Sequence, residues 1–493
     1  MSIKKRTKIV ATIGPASSKP EILEQMIMVG MNVARINFSH GTYDSNGQLI
    51  DNIRAIGKKL NVPVGVMADL QGPRIRTIVE HDIEINKGQI FGIYDISTDK
   101  SKINPPAGGL KSKLQLKVQD YIGLDSPGII RDINVENEIL IEDGLMKIKI
   151  IEKQDCILFG EVLTGGIVKN HKGVNIPDAK LSIPAVTQKD ERDLEYALKM
   201  DVDFVALSFV SQASDIENAR EKIKSILRRD NNLPWIVSKI ERKEAIKNID
   251  ELIKVSDVIM VARGDLGIEL PETKVAIYQK EIIKKCLKAA RPVIVATQML
   301  NSMIENPLPT RAEVSDVCNA ACDHTDATML SGESANGKYP IDSVRIMAEI
   351  IRDTEQSRFD DYVPEHIEVE DHISREYSNF IANAWKMAKK ENAAAILAVT
   401  FTGFTACAIS NYRPERHIFI ATESKRVYNQ LSIVWGVDPY LLNLKENNQS
   451  FVDAIVQKAK KEKRINKGDK IVLVLGIDKK GHKIRSVELM EVE

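Results

Sequence analysis

Short apolar runs alternate with amphipathic helical stretches along most of the chain, and this alternation constrains the fold more than any other feature. Each run is mostly apolar and bounded by polar or turn residues, which is typical of strands buried in a parallel sheet. The runs are Lys8–Gly14, Val33–Ser39, Val64–Asp69, Phe204–Val210, Trp235–Glu241, Val258–Arg263, Val293–Met299 and Ala327–Gly332. Eight strand-and-helix units predict an α/β fold, a closed (β/α)8 or TIM barrel rather than an open sheet.

Two further regions depart from this rhythm. Between Leu70 and Pro177, short alternating strands with Gly and Pro turns replace the helices, which predicts an inserted small β-barrel domain at residues 70–177. A Lys-rich piece inside it, Lys102–Lys117, is interpreted as a solvated surface. The barrel would then comprise residues 1–69 and 178–345. Strands at Ala394–Thr400, His417–Thr422 and Lys470–Leu475 alternate with helices, and the pattern ends in a last strand at Lys483–Leu489. It predicts a C-terminal α/β domain at residues 346–493.

Composition excludes several classes of partner. Lys plus Arg and Asp plus Glu both number 69, so no net field would gather nucleic acid or an anionic membrane. No apolar stretch approaches the roughly 20 residues that a membrane span needs. The five cysteines are too few and too scattered for a disulfide framework. We therefore expect a cytoplasmic protein with no nucleic acid partner, whose affinity for any anion comes from a local cluster of cations.

Polar and charged side chains follow nearly every predicted strand. Because working residues in such a barrel lie at the C-terminal ends of the strands, we expect these side chains to meet at one mouth. They are Arg35, Asn37, Ser39 and His40 after strand two, Asp69 after strand three, Ser208 after strand four, Lys239 and Glu241 on strand five, Gly264 and Asp265 after strand six, Thr297 after strand seven, and Ser331 and Glu333 after strand eight.

The chemical types in this set fit a phosphoryl-transfer site. Glu241 and Asp265 are hard oxygen ligands on neighbouring strands, suited to Mg²⁺, with Mn²⁺ as a substitute. Lys239 precedes Glu241 by two residues, so both point to the same face. An ammonium group beside a metal site can stabilise the charge of a transferring phosphoryl group. Arg35 and Arg76 add guanidinium groups that match phosphate.

At this point the chain resembles the pyruvate kinase family. The motifs that carry the resemblance are IVATIGP at Ile9–Pro15, RINFSHG at Arg35–Gly41, DLQGPRIR at Asp69–Arg76, KGVNIP at Lys172–Pro177, VSKIE at Val237–Glu241, MVARGDLG at Met260–Gly267, ATQMLNSM at Ala296–Met303, PTRAEVSDV at Pro309–Val317 and MLSGE at Met329–Glu333. They cover about two thirds of the chain, and only the whole set is specific.

The resemblance implies Mg²⁺-dependent phosphoryl transfer from phosphoenolpyruvate to ADP, the last step of glycolysis. Lys239 would stabilise the phosphoryl group, with Arg35 and Arg76 as further catalytic cations, and Glu241 and Asp265 would hold Mg²⁺. Thr297 and the backbone of Gly264 and Asp265 would bind the substrate carboxylate, and Arg35 would bind the phosphate of phosphoenolpyruvate. Thr297, with water near Ser331 and Glu333, would protonate enolpyruvate. The nucleotide residues would be Asn37, His40, Arg76 and, from the inserted domain acting as a lid, Lys172.

Two departures from the family pattern matter. Many members carry Thr-Lys-Gly-Pro-Glu after the aspartate of strand three, with K⁺ near that Glu, whereas this chain has Leu-Gln-Gly-Pro-Arg at Leu70–Arg74. We expect Arg74 to supply the missing positive charge, which makes K⁺ dispensable; a residual monovalent site would use Asn37, Ser39, Asp69 and Leu70. Ser211 stands where the family often has Arg.

The resemblance extends to regulation and assembly. Thr400, Thr402, Gly403 and Thr405 lie between a strand and a helix, where hydroxyl groups and a helix N-terminus could cradle a phosphorylated effector. A capped turn would have the same sequence. Family precedent predicts a homotetramer.

Two other readings of the sequence stay open. A Mg²⁺-dependent carbon–carbon lyase also uses Glu and Asp in a (β/α)8 barrel, but it has no use for a lid carrying Lys172. A sensor or scaffold could retain the fold alone. The presence of Lys239, Glu241 and Asp265 favours an enzyme.

Overall fold

Eight parallel strands close into a barrel, which confirms the predicted fold class. The computed structural model describes residues 5–98, 118–359, 375–442, 451–477 and 483–493, so Lys102–Lys117 lies outside the described residues. Neighbouring barrel strands follow one another around the circle in chain order. These strands are β1 (Lys8–Ile13), β2 (Val33–Asn37), β3 (Gly65–Asp69), β13 (Phe204–Leu207), β14 (Trp235–Ile240), β15 (Val258–Ala262), β16 (Val293–Ala296) and β17 (Ala327–Leu330).

Helices surround the barrel, and their termini carry the expected signals. Thr310 caps one helix by accepting a hydrogen bond from the backbone N–H of Glu313, and Pro20 occupies the first turn of another. These helices are α1 (Pro20–Val29), α2 (Tyr43–Leu60), α3 (Gln188–Lys199), α4 (Ala213–Leu227), α5 (Lys243–Lys247), α6 (Ile249–Val255), α7 (Arg263–Glu269), α8 (Glu272–Lys288), α9 (Arg311–Cys322), α10 (Gly332–Ala335) and α11 (Pro340–Glu355).

The insertion after β3 forms a second, smaller barrel of seven mostly antiparallel strands in the order β10-β6-β7-β4-β12-β8-β9, beside a two-stranded sheet of β5 and β11. Alternating Ile and charged residues in β9 place Ile148 and Ile150 in its core. The strands are β4 (Ile75–Ile78), β5 (Ile83–Ile85), β6 (Ile90–Asp95), β7 (Val118–Leu124), β8 (Glu138–Ile141), β9 (Met146–Gln154), β10 (Ile157–Thr164), β11 (Gly166–Val168) and β12 (Gly173–Asn175).

The C-terminal domain is a five-stranded sheet in the order β20-β19-β18-β21-β22, with β22 antiparallel to its neighbour. Its strands are β18 (Ala395–Val399), β19 (His417–Thr422), β20 (Val437–Leu441), β21 (Lys470–Ile477) and β22 (Lys483–Glu491). Its helices are α12 (Arg375–Lys390), α13 (Phe404–Ser410), α14 (Lys425–Gln430) and α15 (Phe451–Lys461). No helix of the described residues is long and apolar enough to span a membrane.

The barrel interior and the C-terminal domain share one apolar core. Inward-facing residues such as Val10 and Met260 belong to the same buried cluster as Ile396 and Ile420 of the C-terminal sheet. The N-terminal ends of the barrel strands, called the floor here, are therefore covered by this domain. The opposite ends, called the mouth, face the inserted barrel and remain accessible.

Candidate active site

Lys239 is the centre of the cluster at the mouth. It lies near the end of β14, and its Nζ is 2.8 Å from Glu241 Oε1, 2.7 Å from Ser208 Oγ and 3.4 Å from Asp69 Oδ1. The residue is only 9% exposed, and all three partners are side chains. An ammonium group held only by side chains can exchange one of these partners for an incoming anion.

Asp69 joins two of the predicted cations. Arg35 Nε lies 2.6 Å from Asp69 Oδ2, and the Arg35 Nη1 donates to Thr12 Oγ1 at 2.7 Å. Burial raises the pKa of Asp69, but the charges of Lys239 and Arg35 outweigh it, and the net pKa is lowered. Asp69 is therefore an ionised counter-ion that holds both cations side by side.

Glu241 is the more unusual carboxylate. It is 2% exposed, and its Oε2 accepts a hydrogen bond from the backbone N–H of Phe209 at 2.8 Å. Burial, together with the negative charge of Asp265, raises the pKa of Glu241 to about 7, although Lys239 opposes the shift. Two nearby carboxylates that repel each other in a buried site are typical of a place where a cation binds.

Asp265 completes this pair at the first turn of α7. Within the described residues its carboxylate has no hydrogen-bond or ion-pair partner, whereas its charge also raises the pKa of Lys239. No group of three or more His, Cys, Asp or Glu side chains in the described part of the chain could enclose a metal ion. The hard oxygens of Glu241 and Asp265 are of the type that fits Mg²⁺, which binds few protein ligands and retains water and substrate oxygens.

Thr297 follows β16 in a strained backbone conformation. Its φ is 70° and that of Gln298 is 54°, in the left-handed region that β-branched residues rarely adopt. The Thr297 Oγ1 accepts a hydrogen bond from the backbone N–H of Gly264 at 2.8 Å, and its carbonyl accepts one from Arg263 Nη2 at 2.7 Å. Arg263 is fixed by Asp316 at 2.7 Å. These contacts hold the hydroxyl of Thr297 beside the backbone of Gly264.

The inserted domain closes a cleft over this mouth. A cavity of about 350 Å³ between the two barrels is lined by residues that include Arg74, Arg76, Lys172 and Asp265. Arg76 donates from Nη1 to the carbonyl of His171 at 3.0 Å, and Lys172 forms an ion pair with Glu142. The cations of the inserted domain and the carboxylate of Asp265 therefore line one shared cleft.

Other predicted site residues are placed less directly. His40 is exposed, and among the described residues its side chain has no hydrogen bond or ion pair. The Asn37 Oδ1 accepts from the backbone N–H of Ser39 at 3.0 Å. Glu333 is 1% exposed, and its oxygens accept from the backbone N–H groups of Leu300 and Ser331. Its carboxylate therefore stabilises two loops and does not project into the mouth.

The predicted effector loop lies at the floor. Thr400 Oγ1 accepts from the backbone N–H of Gly403 at 3.0 Å, and Thr405 Oγ1 accepts from Tyr377 Oη, also at 3.0 Å. Thr402 Oγ1 accepts weakly from the N–H of Phe404 at 3.5 Å. Gly403 has φ 91°, and a Cβ there would lie 2.5 Å from the ring of Trp235. These contacts are those of a capped turn packed against the barrel.

Two side chains at the mouth were given no role from the sequence. Ser208 bridges Lys239 to the carbonyl of Leu70, to which its Oγ donates at 2.9 Å, and Thr12 supports Arg35. Ser208 was recognised at a strand end, and Thr12 lies within a motif at the end of β1. The position of Ser208 and Thr12 at strand ends was therefore the only sign in the sequence that they belong to the site. Their hydrogen-bond partners depend on tertiary packing.

Known proteins match this chain along nearly its whole length. The family model described as pyruvate kinase, barrel domain, matches residues 4–344, and that described as pyruvate kinase, alpha/beta domain, matches residues 379–492. Pyruvate kinase of Geobacillus stearothermophilus is 37% identical over 96% of this chain and 78% of its own length. That of Staphylococcus haemolyticus is 39% identical with the same coverage.

A solved structure agrees with these relatives. The crystal structure of a pyruvate kinase from Cryptosporidium parvum superposes with a TM-score of 0.86 and 33% identity, covering 99% of this chain and 96% of the other. The sequence matches, the shared architecture and the cluster at the mouth lead to one conclusion. This chain belongs to the pyruvate kinase family and is a phosphotransferase.

Proposed function

We propose that the protein transfers the phosphoryl group of phosphoenolpyruvate to ADP, giving pyruvate and ATP, at the mouth between the two barrels. The observation that carries the proposal is the set of contacts of Lys239, which joins a counter-ion, a metal carboxylate and a hydroxyl within 3.4 Å. In the transition state, the transferring phosphoryl group carries negative charge on its oxygens, and a positioned ammonium group stabilises that charge.

The roles of the other residues follow from where they lie. Mg²⁺, or Mn²⁺ in its place, would be held by Glu241 and Asp265 and would neutralise charge on substrate oxygens. Arg35 would bind phosphate oxygens beside Lys239. The hydroxyl of Thr297 and the backbone N–H groups of Gly264 and Asp265 would hold the substrate carboxylate.

The nucleotide would lie between the mouth and the lid. Arg76 and Lys172 line the shared cleft, and their cations would bind phosphates of ADP. Asn37 and His40, at the end of β2, would complete this side. Closure of the lid would exclude water, so that transfer is favoured over hydrolysis.

Protonation of enolpyruvate needs a donor near the substrate carbon. Thr297 is the strongest candidate because its hydroxyl is fixed beside Gly264 in a strained turn. Glu333 is the weaker one, because both its oxygens accept backbone hydrogen bonds. A water held near Ser331 would then relay the proton to Thr297.

The proposal includes little or no requirement for K⁺. The oxygens that would bind a monovalent ion have protein partners: Asp69 contacts Arg35 and Lys239, Asn37 accepts from Ser39, and the carbonyl of Leu70 accepts from Ser208. Arg74 is exposed in the cleft and adds a further positive charge there. Both features support a site whose positive charge is supplied by the chain itself.

Three further assignments rest on the family resemblance. We propose a homotetramer, a cytoplasmic location and a phosphorylated effector at the loop of Thr400, Thr402, Gly403 and Thr405. Sedimentation velocity tests the first. For the effector, the loop hydroxyls accept hydrogen bonds from Gly403, Phe404 and Tyr377, and their O–H groups would donate to the phosphate.

The test is an assay of pyruvate formation from phosphoenolpyruvate, ADP and Mg²⁺ in paired buffers, one with K⁺ and one with tetramethylammonium. We expect pyruvate at similar rates in both. Pyruvate only with K⁺ would keep the kinase but contradict the role of Arg74. Absence of ADP-dependent pyruvate in both buffers, from folded protein, would contradict the proposed reaction.

A further inference from the structure

Arg242 is a buried cation beside the active site that takes no part in the reaction proposed above. It directly follows Glu241 in the sequence, and it is only 8% exposed. It lines the same cleft of about 350 Å³ as Arg76, Lys172 and Asp265. Because an arginine is almost never buried without a partner, the contacts of this guanidinium group show what it does for the site.

The guanidinium group of Arg242 contacts the inserted domain. Its Nη2 donates a hydrogen bond to the carbonyl of Ala179 at 3.2 Å. Ala179 is 4% exposed and belongs to the buried apolar cluster of the inserted domain. Three residues further on, the backbone N–H of Ser182 still donates to Asp132 of that domain at 2.7 Å. The hydrogen bond from Arg242 therefore reaches the body of the inserted domain.

Glu269 holds the same guanidinium group from the side of the barrel. Its Oε1 lies 3.7 Å from Arg242 Nε, and its Oε2 accepts from the backbone N–H of Lys243 at 2.8 Å. Glu269 is the last residue of α7, and Asp265 lies in the first turn of that helix. Burial raises the pKa of Glu269, and the charge of Arg242 opposes the shift. Arg242 is therefore fixed between the inserted domain and the helix that carries Asp265.

A second contact joins the same two parts of the molecule. Lys243 Nζ donates to Asp178 Oδ1 at 2.7 Å, next to Ala179 in the sequence. The two side chains are 41% and 49% exposed, so this ion pair contributes little. The hydrogen bond from Arg242 is buried, and a charged donor makes a stronger bond where water is excluded. Arg242 is therefore the stronger of the two polar links from the end of β14 to the inserted domain.

The position of the inserted domain matters because two cations of the site lie on it. Arg76 is on β4, and Lys172 directly precedes β12. The groups proposed to bind phosphoenolpyruvate, Arg35, Lys239 and Thr297, belong to the barrel instead. A shift of the inserted domain would therefore displace the groups proposed to bind nucleotide phosphates and leave the phosphoenolpyruvate site intact.

We propose that Arg242 is a positioning residue for the nucleotide. Through its contacts with Ala179 and Glu269, it holds the inserted domain against the barrel. The cations of Arg76 and Lys172 are thereby kept where they can bind the phosphates of ADP. The inference rests on the proposed function, since it takes ADP as the phosphoryl acceptor. Its consequence is a difference between the two substrates, because loss of Arg242 weakens the binding of ADP alone.

The experiment measures KM for each substrate and the Kd of ADP by titration calorimetry, on the full-length protein. The variant is Arg242→Gln. Lys180→Gln is the matched control, since Lys180 is an exposed cation next to Ala179 with no hydrogen bond or ion pair among the described residues. We expect KM and Kd for ADP to rise about tenfold in the Arg242 variant, the effect of losing one hydrogen bond from a charged group. KM for phosphoenolpyruvate should not change, and the control should match the wild type.

A second variant tests the part played by Glu269. Glu269→Gln removes the charge that orients Arg242, so KM for ADP should rise, but less than in Arg242→Gln. If Arg242 acts through the position that Glu269 gives it, the two substitutions are not additive, and the double variant should match Arg242→Gln. Urea unfolding of each variant is measured first. If Arg242→Gln does not fold, Glu269→Gln carries the test, and an unchanged KM for ADP in that variant overturns the proposal.

Three results with the folded Arg242→Gln variant would overturn the proposal. KM for ADP could stay unchanged, or KM could rise equally for both substrates, which would show a general disturbance of the mouth. A fall in kcat with both KM values unchanged would show a merely structural role. A wild type that forms no ADP-dependent pyruvate would contradict the proposed function, and the inference with it, before any variant is compared.

Discussion

The mouth and the floor of the barrel both bury charged residues, but they satisfy them differently. At the mouth, Lys239 contacts only other side chains, and Asp265 has no partner among the described residues. At the floor, Asp326 accepts from Arg413 at 2.9 Å and from the backbone N–H groups of Val293 and Trp435. The difference indicates function: charges that backbone groups saturate stabilise the fold, and charges left to movable side chains can bind ligands.

Asp203 gives a second case at the floor. Its oxygens accept from Arg54, from the backbone N–H of Val66 and from Asn429 of the C-terminal domain. Burial raises the pKa of Asp203 even so, although these partners lower it. Its hydrogen-bonding capacity is filled by rigid elements. A buried carboxylate therefore does not by itself indicate a ligand-binding site. The kind of hydrogen-bond partner distinguishes a structural carboxylate from one that can bind a ligand.

The largest expected effect is at the mouth, from Asp265→Asn. The variant removes one of two carboxylates that fit Mg²⁺, so we expect kcat/KM to fall by roughly 100-fold or more and the Mg²⁺ requirement to rise. Steady-state assays across Mg²⁺ concentrations check this. Glu305→Gln, an exposed residue paired with Lys338, is the control and should leave kcat/KM unchanged. An unaltered Mg²⁺ dependence in the Asp265 variant would remove this residue from the metal site.

At the floor, Arg413→Met should reduce stability and leave the chemistry intact. The pair with Asp326 is almost fully buried, and removing one partner of such a pair costs about 3–5 kcal/mol. Urea unfolding measures the loss, and kcat of the folded fraction should match the wild type. Arg485→Met, which breaks an exposed pair with Glu376, should change stability by less than about 1 kcal/mol. Equal losses in the two variants would contradict the comparison.

His324, beside Arg413, predicts how stability depends on pH. Burial, aided by the charge of Arg413, lowers the pKa of His324 from 6.5 to about 4. Below pH 6.5, His324 binds a proton in the unfolded chain but not in the folded protein. Its contribution to the free energy of unfolding is therefore fully present above pH 6.5 and is lost as the pH falls towards 4. We expect a loss of up to about 3 kcal/mol.

The variant His324→Asn tests this dependence. Asn tolerates the left-handed backbone, where His324 has φ 60°. Unfolding in urea at pH 7.0, 6.0 and 5.0 should give a shallower decline for the variant than for the wild type. Parallel declines would show that other groups determine the acid sensitivity.

The smallest expected effect concerns Arg74 in the cleft. Arg74→Gln removes an exposed cation, so we expect the wild type to ignore K⁺ and the variant to be activated a few-fold by it. Rates in KCl and in tetramethylammonium chloride measure this. Arg131→Gln, on the inserted domain and outside the lining of that cleft, serves as the charge-matched control. Activation of the wild type and both variants to the same extent would contradict the role of Arg74.

The order of the strands and the residues at their ends could be predicted from the sequence, because parallel strands read as apolar runs between turn signals. Their exact ends could not. The runs ending at Val210 and Met299 continue past the strands, which stop at Leu207 and Ala296. Apolar residues follow each strand, and the turn at Thr297 depends on hydrogen bonds from Arg263 and Gly264, which lie far away in sequence.

One strand of the C-terminal sheet was not predicted. β20 contains Pro439, which argues against a strand in a local pattern, yet this strand lies at an edge of the sheet, where Pro is tolerated. Within the site, residue types were predictable but side-chain direction was not. Glu333 illustrates this, since its position at a strand end suggested the mouth while its carboxylate turns to Leu300 and Ser331.

The most direct test of the account follows phosphorus by ³¹P NMR in phosphoenolpyruvate, ADP and Mg²⁺, with wild type and Lys239→Met at equal concentration. The account predicts that the γ-phosphate of ATP grows as phosphoenolpyruvate disappears, and that the variant is slower by roughly 1,000-fold, the effect of losing one group that stabilises transition-state charge. It also predicts that the variant remains folded, because Asp69 keeps Arg35 as a counter-ion. ATP formation at the wild-type rate by the variant, or its absence with folded wild type, would contradict the account.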